Sequence, residues 1–527
     1  MSSRVIMLGL DGMDWYLMND WIDDGHLPTF AGLLRQSRTL FLGKANRPLP
    51  GSIWTDIATG VSAAAHRYVH EEQIRPGTYI MEKIDARHVA AEPFHKTLSA
   101  AGKRCAVVDF PVDFPIEGFN GIQVIDWGSE FKLWHFETRP LELAKQLNAR
   151  YGTHPLTNYG HTDPGLTSLV ALKHKLQRGI TIKQRIATDL IRDPKYDLVF
   201  VNFCELHKAG HFFWRFHDRA HPDFTASEPE LVDSLRTLYE DLDRALGEVI
   251  AEIDPNDHLI LVTDRGMYAD HRGDHLIEEI LAKLGFAQTR VQATQASVGR
   301  SWRSRLLGRG PIRKAIKYVG HHLISSEMHT KLLPFHRALT GGAPALDWSR
   351  TRVFLLPNVG NSYLRVNVLG REPHGIVNPG AEYDALLAEV AERLQDLVNP
   401  DTGERAVEGV YFPARQFTGP YAQELPDIAV VWSAQARIHA LTSEATGLIR
   451  GEPEVSRTGN HRPEGFALFR GPTVAAGPGV LEGDARQIPA AVFAFLGLEA
   501  PRHYEMRPPD FVEAAPTDHR APLAVVA

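Results

Sequence analysis

An α/β fold, with a mainly parallel central sheet flanked by helices, is predicted by three observations. Short continuous apolar runs recur along the chain, amphipathic segments of helix length separate them, and several of the runs end in Asp or His. Continuous apolar runs suit strands buried on both faces, and alternation of such strands with helices suits a parallel sheet under helical cover. At 527 residues the chain can bury a large core and form two or three domains.

Residues 5–10 read as the first strand, ending at Asp11-Gly12-Met13-Asp14. Asp11 is there either a turn or helix cap, or a ligand at a phosphate or metal site. Residues 27–34 form a short amphipathic helix. Ser52 follows Pro50-Gly51 and precedes a segment with helical potential. It is an N-cap with Asp56 in the first turn, or a nucleophile, because a helix N-terminus stabilises an alkoxide and a bound phosphate alike. Thr55 is a second candidate for that role.

Alternation resumes with a helix at 94–102 and strands at 104–110 and 121–127. A long helix over 166–193 leads to a strand from Tyr196 to Phe203, which breaks into a polar stretch holding His207 and His211, four residues apart. A second long helix spans 230–253. The strand at 258–263 ends in Asp264-Arg265-Gly266-Met267. Residues 1–299 are thus the first part of one core. Residues 300–345 are basic (Arg300, Arg303, Arg305, Arg309, Arg313, Lys314, Lys317, Lys331) and read as a solvated helical face, with a lid over an anionic ligand or a membrane-surface contact as the functional reading. Strands at 352–356, 363–367 and 427–432 and a helix at 382–398 outline a smaller α/β cap inserted over 346–440. Residues 441–512 return to the core, with His461 in a polar loop before a strand at 466–469. Residues 513–527 are expected to be a disordered tail.

Composition narrows the function. Hydrophobic content of 43% and charged content of 23% are those of a soluble globular protein. A net charge of −7 argues against nucleic-acid binding, which needs a basic face. Cys105 and Cys204 lie in or beside strands, as small buried thiols do in a reducing compartment. No apolar run approaches the roughly 18 residues of a membrane span, and Met1-Ser2-Ser3-Arg4 leads directly into a strand without a secretory signal. A cytoplasmic protein with no transmembrane segment is expected. Oligomeric state has no signature in the sequence.

Ligands in open α/β sheets sit beyond the carboxyl ends of strands. The residues gathered there are Asp11, Ser52, His207, His211, Asp264 and His461. Carboxylates and imidazoles around a hydroxyl are the ingredients of zinc-assisted phosphoryl chemistry. Several short motifs accompany them in order: Leu10-Asp11-Gly12, then Trp54 with Thr59-Gly60 and His66, the His207/His211 segment, and Asp264-Arg265-Gly266-Met267. Gly370-Arg371-Glu372-Pro373, Pro426-Asp427-Ile428, and His461 ahead of Gly465 and Gly471-Pro472 complete the series. In these the chain resembles the alkaline phosphatase superfamily, in its type I phosphodiesterase/nucleotide pyrophosphatase branch.

The resemblance implies an alkaline phosphatase-like core and a site with two metals, a Ser or Thr nucleophile between them. It implies that His207, His211 and His461 hold the first metal and that Asp11 and Asp264 remain of the second. The sequence departs from the pattern at three points. The aspartate of the family's D-x-x-x-H segment is His207, the Asp-His pair is Asp264-Arg265, and the nucleophile counted back from Thr59-Gly60 falls on Pro50, so Ser52 fits only a loop two residues shorter. Two divalent ions with two aspartates and Arg265 carry a charge of about +3, one ion about +1, and like charges at such separations repel strongly. One Zn2+ in a three-histidine site is therefore expected, with Arg265 as an electrostatic clamp in place of the second. Two ions remain possible if His275 or His271 supplies the missing ligand. Arg371, His374 and Asn361 are candidates for substrate binding. The expected function is a metal-dependent hydrolase, or phosphoryl or nucleotidyl transferase, acting on a small phosphodiester or nucleotide-like pyrophosphate. The alternative is a catalytically degenerate phosphodiesterase fold that binds a phosphorylated ligand or acts as a scaffold. No C/S-x-P-x-R segment marks a sulfatase, and the two-metal ligand set of cofactor-independent phosphoglycerate mutase fits less well.

Overall fold

Nine strands form the main sheet of the computed structural model, which describes residues 3–43, 47–128, 134–156, 166–221, 223–226, 228–288, 346–357, 360–452, 457–475 and 479–513. Their spatial order is Gly479–Glu482, Arg38–Phe41, Phe466–Arg470, His258–Thr263, Val5–Leu10, Leu198–Phe203, Cys105–Val108, Gly121–Ile125 and Glu137–Arg139. The strands from 258–263 to 121–125 run parallel to one another. The sheet as a whole is mixed, because Phe466–Arg470 runs antiparallel to both of its neighbours and Glu137–Arg139 antiparallel to Gly121–Ile125. The reason is local. His461 sits at the carboxyl edge of the sheet, so the strand that follows it starts at that edge and must run away from it.

The central strands read as unbroken apolar runs because each feeds two cores. Ile6, Leu8 and Leu10 pack with Val199, Val201 and Phe203 under the helices Trp15–Asp23, Pro28–Gln36, Leu166–Arg192, Glu205–His217 and Ser234–Ile250. Val5, Met7, Leu198 and Phe200 face the other way, against the helices Ile53–Thr59, Phe94–Ala100 and Gln487–Phe495. A side chain on either face of such a strand removes apolar area from water, so no polar alternation is tolerated.

A second, four-stranded sheet orders Val353–Leu356, Ser362–Val366, Ile428–Trp432 and Val407–Tyr411 and is wholly antiparallel. With the Ala381–Gln395 helix it encloses its own core of Val366, Ile428, Val430, Leu387 and Val390. The basic stretch expected over 300–345, Ser456 and the tail beyond 513 lie outside the described residues. No helix among the described residues is long and apolar enough to cross a membrane.

Candidate metal centre and active site

Both histidines of the 207/211 pair lie in the opening turns of the Glu205–His217 helix, not in a loop. The helix begins two residues after the Leu198–Phe203 strand ends, so the i,i+4 spacing points both imidazoles along one face. His461 lies on the short strand Gly459–Arg462, which pairs antiparallel with Gly266–Ala269 and sets His461 opposite Met267. Two glycines let this strand pair meet the helix. A Cβ on Gly459 would lie 2.1 Å from the Gly210 carbonyl oxygen, and one on Gly210 would lie 2.7 Å from the Met267 side chain.

Ligand-capable atoms of His207, His211 and His461 lie within 4.8 Å of one another. Each ring is fixed differently. His211 Nδ1 donates to the Gly459 carbonyl at 2.9 Å, which leaves Nε2 as its acceptor. Arg457 Nη1 stands 3.3 Å from that Nε2. His207 Nδ1 lies 3.0 Å from Asp11 Oδ2. Among the described residues, His461 Nδ1 is buried without a hydrogen-bond partner. Loss of solvent, then the charges of Arg265, its two histidine neighbours and Arg457, hold His461 well below the usual imidazole value. A neutral imidazole keeps the lone pair that a metal needs. An orphaned ring nitrogen among three convergent imidazoles fits a metal ion.

Asp11 reaches the site from the end of the first strand, where its N–H donates to the Phe203 carbonyl at 2.9 Å. Gly12 makes that approach possible: it has φ 73°, and a Cβ there would lie 2.6 Å from His207 Cα. The cap of the following helix is Asp14, which accepts from the N–H groups of Tyr16 and Leu17 and also meets Met267 N and Arg462 Nε. Asp264 leaves the His258–Thr263 strand fully buried. Burial pushes its carboxyl up to about 8, opposed by Arg265 and reinforced by the Asp11 charge. Arg265 Nε lies 2.9 Å from Asp264 Oδ2, and its Nη1 donates to the Pro50 carbonyl at 3.4 Å.

Ser52 is buried at the start of the Ile53–Thr59 helix, but its side chain makes no cap bond. Its Oγ lies 3.0 Å from the Leu49 carbonyl and 3.3 Å from Asp56 Oδ2. Asp56 Oδ1 accepts from His66 Nε2 at 2.6 Å, and His66 Nδ1 accepts the Tyr68 N–H, which puts the ring proton on Nε2. The Asp56–His66 pair had no assigned role in the sequence reading, although His66 was part of the motif series. Thr55 Oγ1 is buried and has no hydrogen-bond partner among the described residues.

The remaining expected residues lie in other contacts. His275 Nε2 bonds the Gly451 carbonyl at 3.1 Å and His271 Nδ1 the Ala434 carbonyl at 2.9 Å, and neither joins the three-histidine group. Arg371, in the turn after the Ser362–Val366 strand, forms a fork with Asp427 at 2.8 and 2.6 Å and also bonds Glu372. His374 is exposed and offers its backbone N–H to the Tyr79 hydroxyl. Asn361 Nδ2 donates to the carbonyls of Arg47 and Pro48, so it holds the loop that Arg265 holds at Pro50.

A large mixed sheet under helices on both faces groups imidazoles, carboxylates and a guanidinium at its carboxyl edge. Residues 5–330 match the family described as type I phosphodiesterase / nucleotide pyrophosphatase, and the chain belongs to that family. It is a hydrolase of that type. No curated protein matches the sequence. Among solved structures, phosphonoacetate hydrolase from Sinorhizobium meliloti 1021 in complex with phosphonoformate is 15% identical, with a TM-score of 0.49 over 94% of this chain and 96% of that one. Murine ectonucleotide pyrophosphatase / phosphodiesterase 5 is 13% identical, with a TM-score of 0.46 over 95% and 96%. The human ectonucleotide pyrophosphatase / phosphodiesterase 5 is 11% identical, with a TM-score of 0.43 over 95% and 96%.

Proposed function

We propose that the protein is a metal-dependent hydrolase, or phosphoryl or nucleotidyl transferase, acting on a small phosphodiester or nucleotide-like pyrophosphate. The observation that carries this reading is the convergence of His207, His211 and His461 within 4.8 Å at the sheet edge of a chain from this family. His207, His211 and His461 would hold a zinc ion, which would supply Lewis-acid polarisation of a phosphoryl oxygen. One ion suffices, because Arg265 already sits against Asp264 where the second would need that carboxylate. Arg265 then binds non-bridging oxygens and bears the charge that develops on them. Asp11 orients His207 from its Nδ1 side, as carboxylates orient metal-bound histidines elsewhere.

Ser52 is the nucleophile in this reading, with Thr55 as the second candidate. Ser52 Oγ forms a bond to phosphorus, its proton passes to Asp56 Oδ2, and the leaving oxygen departs with the electron pair of its bond. Water then displaces the serine in a hydrolase, or an acceptor alcohol does so in a transferase. The 346–440 unit is taken as the cap, with Asn361 tethering the Pro48–Pro50 loop from its side. Two buried, unpaired cysteines support a cytoplasmic setting.

Release of p-nitrophenol from bis(p-nitrophenyl) phosphate is expected in the wild type and lost in His211→Ala. Elemental mass spectrometry is expected to find close to one zinc per chain, lost in His461→Ala. Wild-type turnover in the His211→Ala variant would overturn the reading, and two zinc ions per chain would restore a two-metal site.

A further inference from the structure

We infer that His66 is a positioning residue for Asp56, so that Ser52, Asp56 and His66 act as one unit in which the imidazole-held carboxylate takes the serine proton. The inference rests on the hydrolase reading above and adds to it the residue that makes Asp56 a base.

The geometry starts at His66, wholly buried at the end of the short helix Ala63–His66. Its Nδ1 accepts the Tyr68 N–H at 3.1 Å, so the ring carries its proton on Nε2 and donates it to Asp56 Oδ1 at 2.6 Å. That bond fixes one oxygen of the carboxylate and leaves Oδ2 facing Ser52 Oγ at 3.3 Å. The hydroxyl has one hydrogen, which lies on the Leu49 carbonyl at 3.0 Å or turns to Asp56 with no movement of Oγ. Burial raises the Asp56 carboxyl above the usual range, and the bond from His66 opposes that rise. Asp484 and Arg486 act on Asp56 in opposite senses and are tied to each other at 2.8 and 2.5 Å. His66 is thus the donor that favours the ionised carboxylate.

A staple between two helices would need the same His66–Asp56 bond, but it would not need the serine. Three contacts hold the turn of Ser52 between that pair and the sheet edge. Arg265 Nη1 donates to the Pro50 carbonyl at 3.4 Å, and Trp54 Nε1 donates to Asp11 Oδ1 at 3.4 Å. The Val69 carbonyl oxygen lies 2.5 Å from where a Cβ on Gly51 would be. The segment that carries His66 therefore also packs against the turn that carries the nucleophile. As Oγ bonds to phosphorus, its proton moves to Asp56 Oδ2 and the leaving oxygen departs with its electron pair. When water displaces the serine, the proton returns to Oγ. His66 keeps its own proton throughout, unlike an imidazole that acts as the base itself.

Diisopropyl fluorophosphate reports on Ser52 without turnover: Oγ bonds to phosphorus, fluoride leaves with the electrons of the P–F bond, and the proton goes to Asp56. Labelling of the full-length protein is followed by mass spectrometry against pH, for the wild type, Ser52→Ala, His66→Ala, His66→Gln and Asp56→Asn. Turnover of bis(p-nitrophenyl) phosphate is measured on each. The wild type is expected to be labelled at Ser52, at a rate that falls as pH drops and Asp56 takes up a proton. His66→Ala should slow labelling by about 10- to 100-fold and move that fall upward by about one pH unit. His66→Gln, which keeps an N–H donor, should lie between, and Asp56→Asn should lose the acid fall. An unmoved fall in folded His66→Ala would mean a staple only and overturn the inference. A wild type labelled elsewhere than Ser52, or with no acid fall, overturns it even if the variants fail to fold. Diester turnover with Ser52 unlabelled leaves the hydrolase reading standing and defeats the relay. Labelling with the expected pH dependence and no ester turnover does the reverse.

Discussion

His258 and His461 are both buried imidazoles held in the neutral form, yet only one lies in the three-histidine group at the sheet edge. His258 begins its strand at the amino end of the sheet. Its Nδ1 lies 2.7 Å from Ser3 Oγ, its Nε2 lies 2.8 Å from Thr473 Oγ1, and its ring stacks on Phe495 at 4.0 Å. Burial lowers it to about 4. An unfolded histidine titrates near 6.5, so between those values the unfolded chain binds more protons and folding stability rises with pH. The contribution is fully present above about pH 6.5 and is lost as pH falls toward 4, by up to roughly 3 kcal/mol. Urea unfolding at pH 7.5 and 4.5 should therefore show a smaller difference in His258→Gln than in the wild type, and an identical difference would contradict the assignment. The residues grouped at the sheet edge were readable from the sequence because strand ends and i,i+4 spacing are short-range signals. The fates of Arg371, His374 and His275 were not, because their partners Asp427, Tyr79 and Gly451 are 56, 295 and 176 residues away. Nothing local tells a charge that is destined for an ion pair from one kept for a ligand.

At the scale of elements, the site depends on how closely one helix meets one strand. The strand endings at Leu10, Phe203 and Thr263 were evident from apolar runs that break at polar residues. That the His207/His211 stretch is helical was not evident, because Cys204 offers no capping side chain and the segment mixes polar and aromatic residues. The strand character of Gly459–Arg462 was equally hidden, since four polar or glycine residues become a strand only through pairing with Gly266–Ala269. Gly459→Ala should push that strand off the Glu205–His217 helix by forcing the 2.1 Å contact apart. The expected outcome is zinc affinity weakened at least tenfold in a chelator competition, with His461 drawn away from its partners, and a stability loss of about 1–3 kcal/mol. Unchanged zinc affinity would show that the separation of helix and strand does not set the site.

For the whole molecule, the parallel centre of the sheet was evident because strands fed by two cores carry no polar face. Its antiparallel members were not, since the direction of Phe466–Arg470 follows from where His461 must sit and not from its own five residues. That strand lies between His258–Thr263 and Arg38–Phe41, and with it the main sheet joins segments more than 400 residues apart in the chain. The arrangement bears on the order of synthesis. A nascent chain grows from its amino end, so the two strands that flank this position wait with an open slot while some 200 further residues are made. The third imidazole, His461, lies just ahead of the strand that closes the slot. A ribosome-bound chain halted before residue 459 should retain no zinc, and one carrying the full sequence clear of the exit tunnel should retain it. Metal capture would thus mark the moment at which the barrier between unfinished and finished protein has been crossed.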